Sequence, residues 1–275
     1  YSITYPESQG SIITSIKVTG VDGSCYYPSW FPAAGDIYCY KNGVATDTQF
    51  YFTLYGFDPQ PSSAPIIAFA LADQESAGSY TINPNYSYNL SGDSITVNSP
   101  APGTYTLNFG RLDTTFSSIQ ISTYGATNNY CNVDNTITAQ NEVTVKCYDT
   151  TGITLTDTKF TISITKVTSI PPTNPAKLIS SVWTGGITVG INTNPWGGTN
   201  TKSSPGTGQY HITYGNADIN SHPSLIQVTT DTASGTQKSC SVVSWDSTSA
   251  DVNCYSAGAL TNMDFVITIF QAPQQ

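Results

Sequence analysis

The sequence predicts an all-β protein made of tandem antiparallel β-sandwich repeats, each with an intra-unit disulfide. Three observations carry that prediction: three cysteine pairs at near-equal spacing, a phrase that returns after each pair, and short runs that alternate apolar with polar residues. No stretch sustains the 3.6-residue period of a helix, while Gly and Asn turn signals interrupt the chain at short intervals.

The pairs are Cys25 with Cys39, Cys131 with Cys147, and Cys240 with Cys254, separated by 14, 16 and 14 residues. After each second cysteine comes a related phrase: Thr46-Asp47-Thr48-Gln49-Phe50, Thr156-Asp157-Thr158-Lys159-Phe160, and the looser Thr261-Asn262-Met263-Asp264-Phe265. Upstream of each pair stands a matching strand, headed by Tyr1, Tyr105 and Tyr210, and between them run Ile16-Lys17-Val18, Ile119-Gln120-Ile121 and Ile226-Gln227-Val228. The second and third copies also carry an earlier portion, in which Ala68-Phe69-Ala70-Leu71-Ala72 matches Leu178-Ile179-Ser180-Ser181-Val182-Trp183. The first copy has no such portion. The units are therefore residues 1–58, an incomplete first repeat, then 64–168 and 175–272. The joints at 58–65 and 168–175 are proline-rich, hence stiff and extended, and predict a semi-rigid string of units.

Within each unit the strand after the second cysteine alternates cleanly. Phe50, Phe52 and Leu54, then Phe160, Ile162 and Ile164, then Phe265, Ile267 and Ile269 share one face. The intervening residues are mostly polar, a pattern that predicts one side on a core and the other toward water. Ile37 with Cys39, Val145 with Cys147 and Val252 with Cys254 alternate in the same way. A cystine between neighbouring strands, within each unit, is the simplest connectivity among the 15 that six cysteines allow. Closing a loop of about 15 residues contributes roughly 3 kcal/mol by restricting the unfolded chain.

Units of about 100 residues with two alternating sheets suggest an immunoglobulin-like sandwich by analogy. The cysteines are too close in sequence for the inter-sheet bridge of an antibody domain. The phrases Cys-x-Val, Val-x-Cys-Tyr and Thr-Asp-Thr-x-Phe, preceded by Gly-x-Tyr-x-Leu, resemble tandem disulfide-containing repeats of secreted bacterial surface proteins. The likeness covers most of residues 64–272 and the half-unit at 1–56. It implies an extracellular surface module and brings no catalytic residue with it.

Composition narrows the function. Only 10% of residues are charged and the net charge is -9, so nothing here releases counterions from phosphates and nucleic acid is excluded as a partner. Six cysteines in so sparsely charged a chain point to an oxidising compartment, and the protein is expected to be secreted, at the cell surface or beyond. The longest apolar run, residues 65–72, is far short of the roughly 20 needed to span a bilayer, so no membrane insertion is expected. No basic and apolar leader opens the sequence, so any export signal is expected to have been removed or to lie outside it.

Little in the sequence points to catalysis, and no catalytic residue, cofactor or metal is expected. His211 and His222 are the two neutral-pH bases, and each is better read as a surface or structural group. Gly92-Asp93-Ser94 faintly resembles the serine segment of trypsin-like proteases, but Ile95 stands where glycine is needed. Asp47 and Asp157 recur by unit, which favours a turn role with the carboxylate accepting backbone N–H groups. Asp22, Asp113 and Asp134 lack the dense Asp-x-Asp spacing of a calcium loop. Trp30 and Trp245 occupy equivalent repeat positions and read as packing. Trp183 and Trp196, beside paired glycines, are the candidate partner or ligand surface. Asn85-Tyr86-Ser87 and Asn89-Leu90-Ser91 match the N-glycosylation pattern.

The expected function is structural: a subunit of an extracellular fibre or filament, assembled head-to-tail with other copies of itself. A donated strand would complete the short first repeat, with the strand of Tyr1, Ile3 and Tyr5, residues 67–72 or residues 271–275 as candidate donors. The alternative is a surface adhesin or carbohydrate-binding module reading glycans or a host surface through Trp183 and Trp196. A secreted hydrolase, which needs clustered carboxylates in a cleft, ranks third.

Overall fold

The structure is a computed structural model. It describes residues 1–4, 12–20, 24–31, 34–41, 44–57, 66–75, 78–114, 117–124, 129–134, 141–149, 153–166, 177–183, 192–193, 199–214, 224–231, 238–246, 248–256 and 259–271. Among these residues there are 24 β-strands and one three-residue 3-10 turn, Pro84–Tyr86, and no α-helix. The first portion contains β1 (Ser2–Thr4), β2 (Ile12–Gly20), β3 (Ser24–Phe31), β4 (Ala34–Lys41), β5 (Val44–Ala45) and β6 (Phe50–Phe57). Next come β7 (Ile66–Ala72), β8 (Ser79–Thr81), β9 (Ser87–Asn89), β10 (Thr96–Ala101), β11 (Thr104–Asn108), β12 (Ser117–Tyr124), β13 (Tyr130–Asp134), β14 (Glu142–Tyr148) and β15 (Lys159–Lys166). The last portion contains β16 (Lys177–Trp183), β17 (Asn192–Thr193), β18 (Asn200–Gly206), β19 (Gln209–Tyr214), β20 (Ser224–Asp231), β21 (Lys238–Trp245), β22 (Ser249–Ser256), β23 (Ala259–Leu260) and β24 (Asp264–Gln271).

One pairing scheme occurs three times. β2 pairs antiparallel with β6, β12 with β15, and β20 with β24. The cystine hairpins are β3–β4, β13–β14 and β21–β22, and in each the two cysteines face each other in register. The bonds are Cys25–Cys39, Cys131–Cys147 and Cys240–Cys254, with Cα–Cα distances of 4.1, 4.0 and 4.0 Å. A further strand flanks the second arm of each hairpin: β1 on β4, β11 on β14, β19 on β22. The tyrosine after each second cysteine then pairs onward, Tyr40 with Ala45, Tyr148 with Leu155 and Tyr255 with Leu260.

The outer flanks differ. β7 pairs with β15 and β16 with β24, and both ladders skip one residue at the same place, Ile67 in one and Ile179 in the other. β6 carries no such neighbour among the described residues, and its sheet is β2–β6 alone. Beyond β11 lie β10 and β8, and beyond β19 lies β18, whereas no described strand lies beyond β1.

Alternation places the cores. Phe160, Ile162 and Ile164 from one sheet meet Tyr105, Leu107, Val143, Val145 and Cys147 from another in a single cluster, all at most 1% exposed. Phe265, Ile267 and Ile269 meet Ile212, Val252 and Cys254 in the same way. Among the described residues a third cluster joins Val18, Ile37 and Cys39, with Ile3, Cys25 and Phe50 half-buried against it. Two sheets closing on one core, with a cystine inside it, is compatible with a disulfide-containing β-sandwich. Each large side chain so sealed contributes about 1.5–3 kcal/mol.

The second face of these strands departs from expectation. Alternation predicted that it meets water, but Ser118, Gln120 and Ser122 of β12, Thr161, Ser163 and Thr165 of β15, and Thr268 of β24 are all buried. Several of their partners lie in other portions of the chain. The Ser118 hydroxyl bonds to that of Thr268, Gln120 Nε2 donates to Thr268 Oγ1 at 3.3 Å, Thr229 Oγ1 donates to Gln120 Oε1, and the Val18 N–H donates to Ser122 Oγ at 3.3 Å. Parallel bridges join β3 to β12 at Tyr27 and Tyr124, and β13 to β20 at Val133 and Asp231. The expected string of separated units is therefore corrected: the three portions pack on hydroxyl and amide faces, where the side chains supply one another's hydrogen bonds. The proline-rich joints lie outside the described residues.

Candidate functional site

The recurrent phrases build a local lock. Tyr105 Oη accepts the Thr158 N–H at 2.9 Å and donates toward Asp157 Oδ1 at 3.3 Å, and that same oxygen accepts the Gly103 N–H at 2.8 Å. The third portion repeats it, with Tyr210 Oη accepting the Met263 N–H at 2.8 Å and Asn262 Oδ1 accepting the Gly208 N–H at 2.7 Å. In the first portion Tyr1 Oη accepts the Thr48 N–H at 2.9 Å. Each tyrosine ring also leans on the phrase's phenylalanine, at centroid distances of 5.0, 5.2 and 5.1 Å for Phe50, Phe160 and Phe265. Burial pushes the Tyr105 phenol well above its ordinary range, so it remains a neutral donor and acceptor. Glycine is obligatory beside it: Gly103 has φ +65°, and a Cβ there would lie 2.5 Å from the Thr156 nitrogen and 2.6 Å from the Cys147 oxygen. The recurrent aspartate thus has a structural task at Asp157.

Several other candidates resolve the same way. Tyr1 and Ile3 sit in or beside β1, which is paired to β4, and Ile3 packs on the first core; Tyr5 lies outside the described residues. Trp183 falls within β16, its side chain outside the described residues, and Trp196 lies outside them altogether. Trp245 packs against the third core. Asp134 is 4% exposed and its Oδ2 lies 2.6 Å from Lys146 Nζ, an ion pair along one hairpin rather than a calcium ligand. Asp22 and His222 lie outside the described residues.

His211 comes nearest to a catalytic arrangement. Its Nδ1 lies 2.7 Å from Asp251 Oδ1, and Ser244 Oγ donates to Asp251 Oδ2 at 2.6 Å. The serine is bonded to the carboxylate, so the imidazole is not poised on its hydroxyl. These bonds, Ser244 first and His211 next, hold the Asp251 carboxyl below its usual range. Asp93 of the Gly92-Asp93-Ser94 segment is engaged too. Arg111 Nε reaches its Oδ2 at 2.9 Å, and this pairing brings the carboxyl down to about 2.

A cavity lies where the three portions meet. It encloses about 100 Å³ and is lined by Val18, Cys25 and Tyr26 of the first, Ile121 to Thr123 and Asn129 to Asn132 of the second, and Val228 to Thr230 and Lys238 to Cys240 of the third. Val18, Ile121 and Val228 are equivalent repeat positions, as are the three cysteines. The two parallel bridges obey the same equivalence, since Tyr27 and Val133 each stand two residues after a first cysteine. Corresponding positions of all three portions thus meet at this junction.

No family model, curated protein or solved structure matches this chain. Function rests on the residues themselves. Among the described residues no group of three or more His, Cys, Asp or Glu side chains lies close enough to hold a metal ion, and no helix is long and apolar enough to cross a membrane. Sequence reasoning missed the cavity because it arises between repeats. A signal was nonetheless legible, in the residues flanking the first cysteines, where Tyr26 and Tyr130 break a run of small polar side chains.

Proposed function

We propose that this chain is an extracellular structural subunit, built from three immunoglobulin-like repeats and assembled with copies of itself into a filament. The observation that carries the reading is the edge of β6. Its counterparts on β15 and β24 are each covered by a strand, β7 and β16, with an identical one-residue skip, and β6 has no cover among the described residues. An open edge offers unpaired backbone donors and acceptors to an incoming strand. A strand laid there from a second copy makes a head-to-tail contact that does not close on itself, which is the geometry of a fibre. The three cystines and low charge fit an oxidising, extracellular setting.

The described strands are already in use, β1 on β4 and β7 between β15 and β9, so assembly draws on chain outside them or exchanges one of them. The test is light scattering and electron microscopy of the purified protein across a concentration series, with and without a synthetic peptide of residues 65–73. Filaments or oligomers that the peptide disperses support the proposal. A protein that stays monomeric at every concentration and ignores the peptide refutes it.

A further inference from the structure

The sequence holds two matches to the Asn-x-Ser/Thr acceptor pattern, residues 85–87 and 89–91, and the fold treats them oppositely. Asn89 is 8% exposed, in the strand β9 that pairs with β7. Its Nδ2 donates to the Asp93 carbonyl at 3.0 Å and to the Phe109 carbonyl at 2.9 Å. Its Oδ1 accepts the Ser91 N–H at 3.1 Å and the Ser91 hydroxyl at 2.9 Å. Asn89 and Ser91 are thus spent inside one corner, where the asparagine ties β9 to the residue that follows β11. A sugar on the Asn89 nitrogen would replace one of its two hydrogens and need the space that a buried carbonyl holds, leaving that carbonyl without its donor.

Asn85 is in the opposite situation. It is exposed, at the centre of the turn Pro84–Tyr86, which contains no buried residue. Asn83 holds that turn: its Oδ1 accepts the Asn85 N–H at 2.9 Å, and its carbonyl accepts the Tyr86 N–H at 2.9 Å and the Ser87 hydroxyl at 3.2 Å. None of these bonds uses the Asn85 carboxamide. The next strand, β9, is the last of its sheet, so among the described residues no further strand stands beyond the turn. An attached glycan is bulky and hydrated and needs such a surface. We propose that Asn85, and not Asn89, is the acceptor of an N-linked glycan. The donor is a lipid-diphosphate-linked oligosaccharide. The Asn85 Nδ2 bonds to its anomeric carbon, the C–O bond to the diphosphate breaks, the diphosphate leaves with the electron pair, and the amide gives up one proton. The inference rests on the extracellular reading, because only an exported chain meets this donor and its transferase, and it is independent of filament assembly.

The experiment expresses the full chain behind an export signal in a eukaryotic secretory host and collects both the medium and the microsomal fraction. Peptide N-glycosidase in heavy-oxygen water turns each formerly occupied asparagine into a labelled aspartate, which mass spectrometry of the peptides locates. Asn85 is expected to be labelled and Asn89 not. Ser87→Ala keeps the asparagine but breaks the pattern, and is expected to abolish the label, whereas Ser91→Ala leaves it unchanged. Asn85→Gln clears the neighbouring glycan away from Asn89 and asks whether burial alone closes that position. Protein of this variant that has formed the Cys131–Cys147 bond is expected to carry no glycan. An unlabelled Asn85 in both fractions, or a labelled Asn89 in protein whose cystines have formed, overturns the inference. Cystines that fail to form in that oxidising compartment would instead break the extracellular reading, with Asn85 occupancy still read from its label.

Discussion

The first and second repeats hold the same cystine hairpin and the same phenol-to-backbone lock, yet their flanks differ. In the second, Phe160 is fully sealed beneath a sheet that β7 and β9 extend. In the first, Phe50 is only half-buried, its ring against Tyr1, at the start of a strand whose outer edge is open among the described residues. The hairpin and its tyrosine thus recur in both portions, and the described flanking strands differ. The sharpest way to break this comparison is to truncate the two equivalent rings. Phe160→Ala is expected to cost about 3–5 kcal/mol, the usual range for emptying a phenylalanine site, and Phe50→Ala clearly less. Urea unfolding of the two variants decides it, and equal losses would show that the first core is as complete as the second.

The cystines give a slightly smaller effect that should be nearly uniform. Replacing Cys131 and Cys147 together by serine is expected to remove about 3 kcal/mol, the value for a loop of about 15 residues. The pairs Cys25–Cys39 and Cys240–Cys254 close loops of almost equal length and are expected to match it. Because β6 carries no covering strand among the described residues, the first portion is the one expected to unfold outright once its cystine is gone. Hydrogen exchange in the β3–β4 hairpin, compared with β13–β14, reads this directly.

The sequence shows one face of each strand clearly and misleads about the other. Phe160, Ile162 and Ile164 announce a core through period two, and their burial follows from that pattern alone. Ser118, Gln120 and Thr268 look like a solvent face for the same reason, yet they are buried because neighbouring repeats cover them. Alternation reports polarity, and a polar side chain with a polar partner is at home in an interface. The cysteine spacing likewise made the three cystines legible, while the junction of the three portions, a contact between residues about 100 positions apart, has no local signature. Tyr26 and Tyr130 were visible only as departures from the repeat, and Trp183 and Trp196 drew attention for their size rather than their place.

The lock itself offers a finer comparison. Tyr105→Phe keeps the ring on Phe160 but leaves the buried Thr158 N–H without its acceptor, expected to cost about 1–3 kcal/mol. Tyr1→Phe removes the equivalent bond to Thr48, but that contact is exposed, water replaces it, and the loss is expected to be near zero. Thermal unfolding of the two variants separates them by Tm.

The smallest effect belongs to the corner that joins Asp93 and Arg111 in the second portion. Arg111 holds the Asp93 carboxyl down to about 2 in the folded protein, against 3.8 for an ordinary aspartate. A depressed carboxylate stabilises the fold while it is ionised. Its contribution is complete above about pH 4 and is lost as the pH falls toward 2. Asp93→Asn is therefore expected to lower stability slightly at neutral pH, to leave it nearly unchanged near pH 2, and so to flatten the acid limb between them. Both members of the pair meet solvent, Arg111 at 79% side-chain exposure, so salt should shrink the difference between parent and variant. An acid limb that Asp93→Asn leaves intact would locate the sensitivity at Asp251, whose carboxyl is held down by Ser244 and His211 in the third repeat instead.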